Sequence, residues 1–161
     1  MTHPQRVSTC LWFDRQAEEA ANFYVSLFPN SSVTAIARYG EGTPMPAGLA
    51  MTVEFKLDGT EFLLLNGGPH FKLTEAASLS VRCDTQAEVD RLWSALIANG
   101  GNESMCGWLK DRYGVSWQIV PTILAKYLND PNRDRAARTM AAMMQMKKLD
   151  IAKLEAAYRG E

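Results

Sequence analysis

Two stretches of the sequence share one pattern and decide the fold: LWFDRQAEEAANFYVSLF (residues 11–28) and VRCDTQAEVDRLWSALIA (residues 81–98). In each, a short apolar segment ends in an aspartate, and a helix-like spacing of apolar residues follows the shared residues Gln-Ala-Glu. An aspartate in this position can accept hydrogen bonds from the first free amides of a helix. We therefore predict a duplicated strand–helix unit in which Asp14 and Asp84 are the helix N-caps.

A second pair of matching stretches closes each copy: DGTEFLLLN (residues 58–66) and YGVSWQIVP (residues 113–121). Each has a glycine at a tight turn, followed by a short alternating strand. Further strand candidates lie between the matching stretches: SSVTAIARYG (31–40), AMTVEFKL (50–57) and the weaker MCGWLK (105–110). Each copy therefore reads as strand, helix and three strands, with copies at 6–66 and 76–121 and a crossover at 67–75.

The remaining residues, 122–161, are predicted to form a helical tail. Asp130 with Pro131, and Asp150, carry the chemistry that begins a helix, so we predict two short helices. Met140, Met143 and Met144 are spaced to lie on one helix face. Such a stripe usually packs in a core or an interface, so we expect it to contact the rest of the chain or a second subunit.

Composition narrows the possible classes of protein. The chain has 161 residues, 47% of them hydrophobic, which suits a single domain spanning 1–161. A net charge of −1 provides no field for nucleic acid or an anionic membrane, and no apolar run is long enough to span a bilayer. The three cysteines include no CxxC pair, which argues against a disulfide framework and favours a reducing cytoplasm.

Alternation along the strands separates a helix-covered face from a face that we expect to line a cavity. The cavity side mixes hydroxyl, amide, aromatic and charged groups, which suits a small organic ligand. Its residues are Ser8, Cys10, Trp12, Thr52, Glu54, Leu63, Leu65, Ser78, Ser80, Arg82, Ser116, Gln118 and Val120.

Three residues of this face are candidates for catalysis. Cys10 is a possible nucleophile, Glu54 a possible general base and Gln118 a residue that could orient a ligand. Each also has a structural interpretation: an inert buried thiol, an exposed or paired carboxylate, and an amide that satisfies the backbone. The sequence leaves these alternatives open.

Five further residues are candidates for ligand binding: Trp12, Asn66, Ser80, Arg82 and Trp108. Arg82 could pair with a substrate carboxylate, or instead with Glu54 or Asp84. Trp108 lies in CGWLKDRYG, beside a predicted turn at the cavity mouth. Asn66 begins the stretch NGGPHF, which we interpret mainly as the turn into the crossover, with His70 as a rim residue.

A duplicated βαβββ unit resembles the vicinal oxygen chelate superfamily of glyoxalase I, bleomycin resistance proteins and extradiol dioxygenases. The resemblance is closest to its PhnB-like branch, labelled 3-demethylubiquinone-9 3-methyltransferase domain proteins. It rests on CLWFDRQAEEAANFYVSLFPNS (10–31), MTVEFKLDG (51–59), FLLLNGGPHFKLTEA (62–76), CGWLKDRYGVSWQIVPT (106–122) and MAAMMQMKKLDIAKLEAAY (140–158). The resemblance implies an α+β fold whose repeats form a curved mixed sheet around a cavity, followed by the helical tail.

The superfamily's metal ligands are expected near Ser8, near residues 76–78, at Leu65 and at Val120, and none of these is a good donor. The methyltransferase label implies S-adenosylmethionine, but Gly67-Gly68 is followed by Pro69 and not by a helix that could hold a phosphate. We therefore expect no metal and no cofactor.

Three functions follow as hypotheses. The first is a metal-independent protein that binds a small organic molecule in a cavity between its repeats, expected to be a homodimer because open sheets expose edges. The second is an enzyme that acts on an aromatic or quinone-like substrate, as the family label implies. The third is an interaction or regulatory protein whose Met-rich tail is the partner surface.

Overall fold

The computed structural model describes residues 5–161, so His3 lies outside the described residues. The chain divides into two compact units, one ending at Leu73 and the other running from Thr74 to Glu161. This boundary falls inside the predicted crossover at 67–75.

The first unit is a four-stranded mixed sheet with one helix on it. Its elements are β1 (Thr9–Phe13), α1 (Ala17–Leu27), β2 (Ser32–Arg38), β3 (Ala50–Leu57) and β4 (Thr60–Asn66). The strand order is β1-β4-β3-β2, with β1 parallel to β4 and the other pairs antiparallel. The helix-side residues Leu11, Phe13, Val53, Phe55 and Leu64 are buried, as the alternation predicts.

The second unit repeats this arrangement. Its elements are β5 (Ser78–Cys83), α2 (Gln86–Ile97), β6 (Asn102–Glu103), β7 (Trp108–Lys110) and β8 (Ser116–Pro121), in the order β5-β8-β7-β6. Again the first strand pairs in parallel with the last, and the other pairs are antiparallel. The predicted α+β class and the two βαβββ repeats are confirmed, and their strands form two four-stranded sheets.

The predicted helix caps are wrong in detail. Gln16, rather than Asp14, is the N-cap of α1, and the Gln16 side chain makes no capping hydrogen bond. Thr85, rather than Asp84, is the N-cap of α2, and its hydroxyl accepts a hydrogen bond from the Glu88 amide at 3.2 Å. The aspartate rule located each helix start to within two residues but assigned the cap to the wrong side chain.

The tail contains three helices rather than the two predicted: α3 (Thr122–Leu128), α4 (Arg133–Met143) and α5 (Ile151–Arg159). Sequence reasoning missed α3 because it begins directly after β8 without a polar cap. Asp150 caps α5 as predicted, but Asn132 caps α4 in place of Asp130. The tail has a small hydrophobic core of its own, made of Leu124 on α3, Leu149 just before α5 and Leu154 on α5.

The methionine stripe is only partly packed. Met143 lies against the tail core, whereas Met140 is 42% exposed and Met144 is 57% exposed.

Within residues 5–161, no helix is long and apolar enough to cross a membrane.

Candidate functional site

The face of the first sheet opposite α1 carries the predicted site residues of this unit. The strand register places Cys10 beside Leu63 and Leu63 beside Glu54, so these three side chains form one row across the sheet. A second row contains Trp12, Leu65 and Thr52. None of these six residues is fully buried, whereas most of the apolar residues that alternate with them are, namely Leu11, Phe13, Val53, Phe55 and Leu64. We call this the open face of the first sheet.

Trp12 lies against the stretch that follows β4. Its indole Nε1 donates a hydrogen bond to the Gly68 carbonyl at 2.8 Å. Phe71 meets the Trp12 ring edge-on, with ring centroids 4.9 Å apart, and 66% of Phe71 is exposed. The two rings therefore form an aromatic pair at the open face, and sequence reasoning missed Phe71 because it stands in an irregular crossover.

The backbone amides of the glycine pair are already bonded. The Gly67 amide donates to the Phe13 carbonyl at 2.9 Å, and the Gly68 amide donates to the Asp14 carbonyl at 3.3 Å. A Cβ added to Gly67 would lie 2.2 Å from Trp12 Cζ2, so glycine is needed here to make room for the indole. This stretch does not fit a phosphate cradle, which needs free amides.

Asn66 is fully buried, and its side-chain amide is bonded within the fold. Its Oδ1 accepts a hydrogen bond from the Ala17 amide at 2.9 Å, and its Nδ2 donates to the Ala50 carbonyl at 2.8 Å. Asn66 therefore supplies the helix cap that Gln16 lacks and joins α1 to β3. This structural role uses both polar groups of the Asn66 side chain, and the predicted ligand contact stays a prediction.

Cys10 and Glu54 lie two strands apart, about 10 Å at ordinary strand spacing. Partial burial raises the pKa of the Cys10 thiol, which keeps it in the less nucleophilic protonated form at neutral pH. Glu54 lines a pocket of about 460 Å³ on this sheet. The other lining residues are Gln5, Ser8, Thr34, Phe55, Lys56, Glu61, Phe62 and Leu63.

The face of the second sheet opposite α2 carries the remaining candidates. Gln118 lies between Ser80 on β5 and Trp108 on β7 in the strand register, and its Nε2 donates to the Ser78 hydroxyl at 2.9 Å. Ser80 and Arg82 are exposed. Arg82 makes no ion pair with any residue in the described part of the chain, and the Asp84 carboxylate accepts a hydrogen bond from Thr122 at 2.7 Å.

The donor set needed for a metal is not assembled. Across residues 5–161, no group of three or more His, Cys, Asp or Glu side chains could hold a metal ion. Ser8, Leu65, Ser78 and Val120 are on the open faces, but none offers an imidazole or a carboxylate. His70 is exposed in the loop after Pro69. The residues present therefore do not fit the superfamily's metal.

The repeat architecture agrees with a family profile that matches residues 5–120 and is described as 3-demethylubiquinone-9 3-methyltransferase. The chain belongs to this family. No curated protein matches the chain. Membership in the family establishes the fold and the relationship, whereas the activity in the family's description has to be judged from the residues of this chain.

One solved structure supports the same family, and two more distant ones share the fold. A PhnB protein from Bacillus cereus is 38% identical, with a TM-score of 0.69, and the match covers 73% of this chain and 100% of that one. Protein PA1353 from Pseudomonas aeruginosa is 22% identical, with a TM-score of 0.59, over 73% and 97% of the two chains. The fosfomycin resistance protein FosX from Listeria monocytogenes is 13% identical, with a TM-score of 0.56, over 80% and 100%. The last two show a shared fold.

Proposed function

We propose that this member of the family binds a small organic molecule on the open faces of its sheets, without a metal ion. One observation carries the proposal: the helices cover one face of each sheet, and the other face presents aromatic, hydroxyl, amide and charged side chains together. The first sheet alone holds a pocket of about 460 Å³. That volume lies within the range of about 300–1,000 Å³ that is typical of small-molecule sites.

The aromatic pair of Trp12 and Phe71 favours a ligand with a flat or apolar body. An aromatic side chain that is 66% exposed loses contact with water when a ligand ring packs on it, which is favourable by about 25 cal/mol per Å² of apolar surface removed from water. Trp12 is held in place by its hydrogen bond to Gly68, so the platform is ordered before a ligand arrives.

Native mass spectrometry of the protein purified from its own cells tests this function. We expect a co-purifying small molecule that is lost in Trp12→Leu, because the aromatic pair is removed. Met144→Ala is the matched control, since Met144 is exposed on the tail rather than on a sheet. A molecule lost only in Met144→Ala would contradict the proposal and favour the tail as the binding surface.

The absence of a metal and of S-adenosylmethionine can be checked separately. We expect elemental analysis of the purified protein to find no stoichiometric transition metal, because the four superfamily positions lack suitable donors. Calorimetry with S-adenosylmethionine should give no binding heat, because the Gly67 and Gly68 amides are already bonded. A stoichiometric metal, or a saturable binding heat, would contradict the respective part of the proposal.

An enzymatic role for Cys10 has little support from the geometry. Its thiol pKa is raised rather than lowered, and Glu54, the candidate base on the same face, is two strands away. Cys10→Ser should therefore leave ligand binding in the mass spectrometry assay unchanged. A loss of binding or of turnover of the co-purified molecule would restore Cys10 as a catalytic candidate.

We also propose a homodimer, because both sheets have open edges. Almost every residue of edge strand β2 is exposed, and Ile36 on it is 37% exposed. Light scattering should give twice the chain mass, and Ile36→Lys should lower it if β2 is the paired edge. A monomeric wild-type protein would contradict the proposal.

The compartment that we propose is the cytoplasm, with no nucleic acid or membrane as partner. Cys10, Cys83 and Cys106 are all free thiols, which suits a reducing compartment. A net charge of −1 provides no electrostatic attraction to phosphate backbones or anionic lipids. Fractionation of source cells, with detection of the protein in each fraction, tests the location.

A further inference from the structure

The second unit contains a pocket of about 330 Å³ that includes an unsatisfied buried hydroxyl. Ser116 lines this pocket, only 2% of the residue is exposed, and its Oγ has no hydrogen-bond partner among the described residues. Buried hydroxyls are nearly always hydrogen-bonded, because leaving one unpaired is costly. Because Ser116 lines the pocket, a polar ligand atom that reaches its unpaired hydroxyl would be stabilised there.

A lysine beside Ser116 already holds a carboxylate. Lys110 lies opposite Ser116 in the strand register, and its Nζ is 2.5 Å from the carboxylate of Glu75, which also lines the pocket. The hydrogen bond from Lys110 lowers the pKa of Glu75, so this carboxylate is ionised at neutral pH. The contact with Glu75 thus shows where the Lys110 ammonium group binds a carboxylate.

The Glu75–Lys110 ion pair is easily exchanged. The Glu75 side chain is 68% exposed, and an ion pair of that kind contributes little to stability because water and salt screen it. A second carboxylate at the pocket, Glu103, already accepts hydrogen bonds from Trp93 and Lys147. Lys110 is therefore the cation that an incoming anion would meet.

Trp108 provides the apolar wall of the same pocket. It is half-buried on β7, two residues before Lys110, so alternation places both side chains on the open face of the second sheet. An indole face next to an ammonium group and a hydroxyl fits a molecule with a flat apolar body and one acidic end.

We propose that this pocket binds a small carboxylate with an aromatic or apolar body. The carboxylate displaces Glu75 from Lys110 and accepts a hydrogen bond from the Ser116 hydroxyl, and the body of the ligand packs against Trp108. Glu75 is then an internal competitor for the ligand. The inference rests on the proposed function, since it names the ligand class for one of the two open faces.

The test is a titration of ¹⁵N-labelled protein with benzoate, followed through the Trp108 indole N–H signal, which Trp108→Phe assigns. We expect benzoate to shift this signal and the neutral analogue benzamide to bind about tenfold more weakly, as for the loss of a charged hydrogen bond. Lys110→Met should weaken benzoate binding by a similar factor, and Lys153→Met, an exposed tail lysine, should not change it.

Two more variants separate the ligand site from a structural role. Glu75→Gln should strengthen benzoate binding by about two- to fivefold, because the competing exposed ion pair is removed. Ser116→Ala should weaken binding about two- to tenfold and yet raise the melting temperature of the free protein, because the unpaired hydroxyl is gone. A purely structural Ser116 would not show this opposite pair of effects.

The inference is overturned if benzamide binds as well as benzoate, or if benzoate leaves the Trp108 signal unmoved in Glu75→Gln. It is also overturned if benzoate binds equally well to Lys110→Met and Ser116→Ala. In that last case the mass spectrometry result would still support the proposed function, so the two failures are distinguishable.

Discussion

The two repeats have the same strand order and begin their helices by different means. In the first, Asn66 at the end of β4 reaches the first amide of α1, far away in sequence. In the second, Thr85 caps α2 locally, and the Glu88 carboxylate returns to the Asp84 amide at 3.0 Å. Duplication of a fold therefore conserves the position of a helix without conserving the side chain that stabilises its start.

The difference follows from the residue that ends the last strand of each repeat, Asn66 on β4 and Pro121 on β8. Asn66 stands beside Phe13 in the register, and its counterpart Pro121 stands beside Cys83. Pro121 ends β8 as the N-cap residue of α3 and has no side-chain amide to offer, so α2 must rely on its own residues. Because the side-chain amide of Asn66 has both a donor and an acceptor, this one buried side chain can join α1 to β3.

The largest expected effect is that of removing this long-range cap. Asn66→Ala would leave the buried Ala17 amide and Ala50 carbonyl without partners, so we expect a loss of about 2–5 kcal/mol of unfolding free energy. Urea unfolding monitored by circular dichroism measures it.

Asn132→Ala is the control for this variant, because Asn132 is an exposed asparagine cap on α4. It should cost about 1 kcal/mol. Equal losses for Asn66→Ala and Asn132→Ala would contradict the claim that Asn66 joins two elements rather than capping one.

A second expected effect concerns the residue that follows the last strand of each repeat, Gly67 after β4 and Thr122 after β8. Gly67 is covered by Trp12, whereas the corresponding Thr122 carries a side chain and the counterpart of Trp12 is the exposed Arg82. Gly67→Ala should destabilise the protein by about 1–3 kcal/mol, because the added methyl overlaps the indole ring. Thermal and urea unfolding check this.

The double variant Gly67→Ala with Trp12→Leu identifies the cause. A smaller side chain at position 12 should make the alanine nearly neutral, which a double-mutant cycle measures as a favourable coupling. An alanine that costs the same in both backgrounds would show that the indole is not the obstacle.

The fold was predictable because its signals are local and repeated. Alternation along β1, β3 and β8 located the buried face, and glycines at positive φ, Gly59 and Gly114, marked the turns as expected. Helix α3 was not predicted because no polar N-cap residue precedes it. The capping role of Asn66 was not predicted because its hydrogen-bond partners, Ala17 and Ala50, are distant in sequence.

The candidate site was predictable only as a set of faces. Alternation placed Trp12, Glu54 and Gln118 on the open faces, and Trp108 was a candidate only because it lies beside a predicted turn. The aromatic contact with Phe71 depends on the path of an irregular loop. Likewise, the sequence gives no sign that the Ser116 hydroxyl is unpaired or that Lys110 meets Glu75. Such facts depend on side-chain packing, which spacing along the chain does not encode.

The smallest expected effect is at the local cap of the second repeat. Thr85 is exposed, so Thr85→Ala removes one hydrogen bond that water can partly replace, and we expect a loss of about 1 kcal/mol in urea unfolding. Thr85→Ser is the matched control, because it keeps the acceptor oxygen and should cost less than half as much. If Thr85→Ala destabilised the protein as much as Asn66→Ala, the contrast between a local cap and a buried long-range cap would fail. The start of α2 would then depend on contacts beyond Thr85 and Glu88.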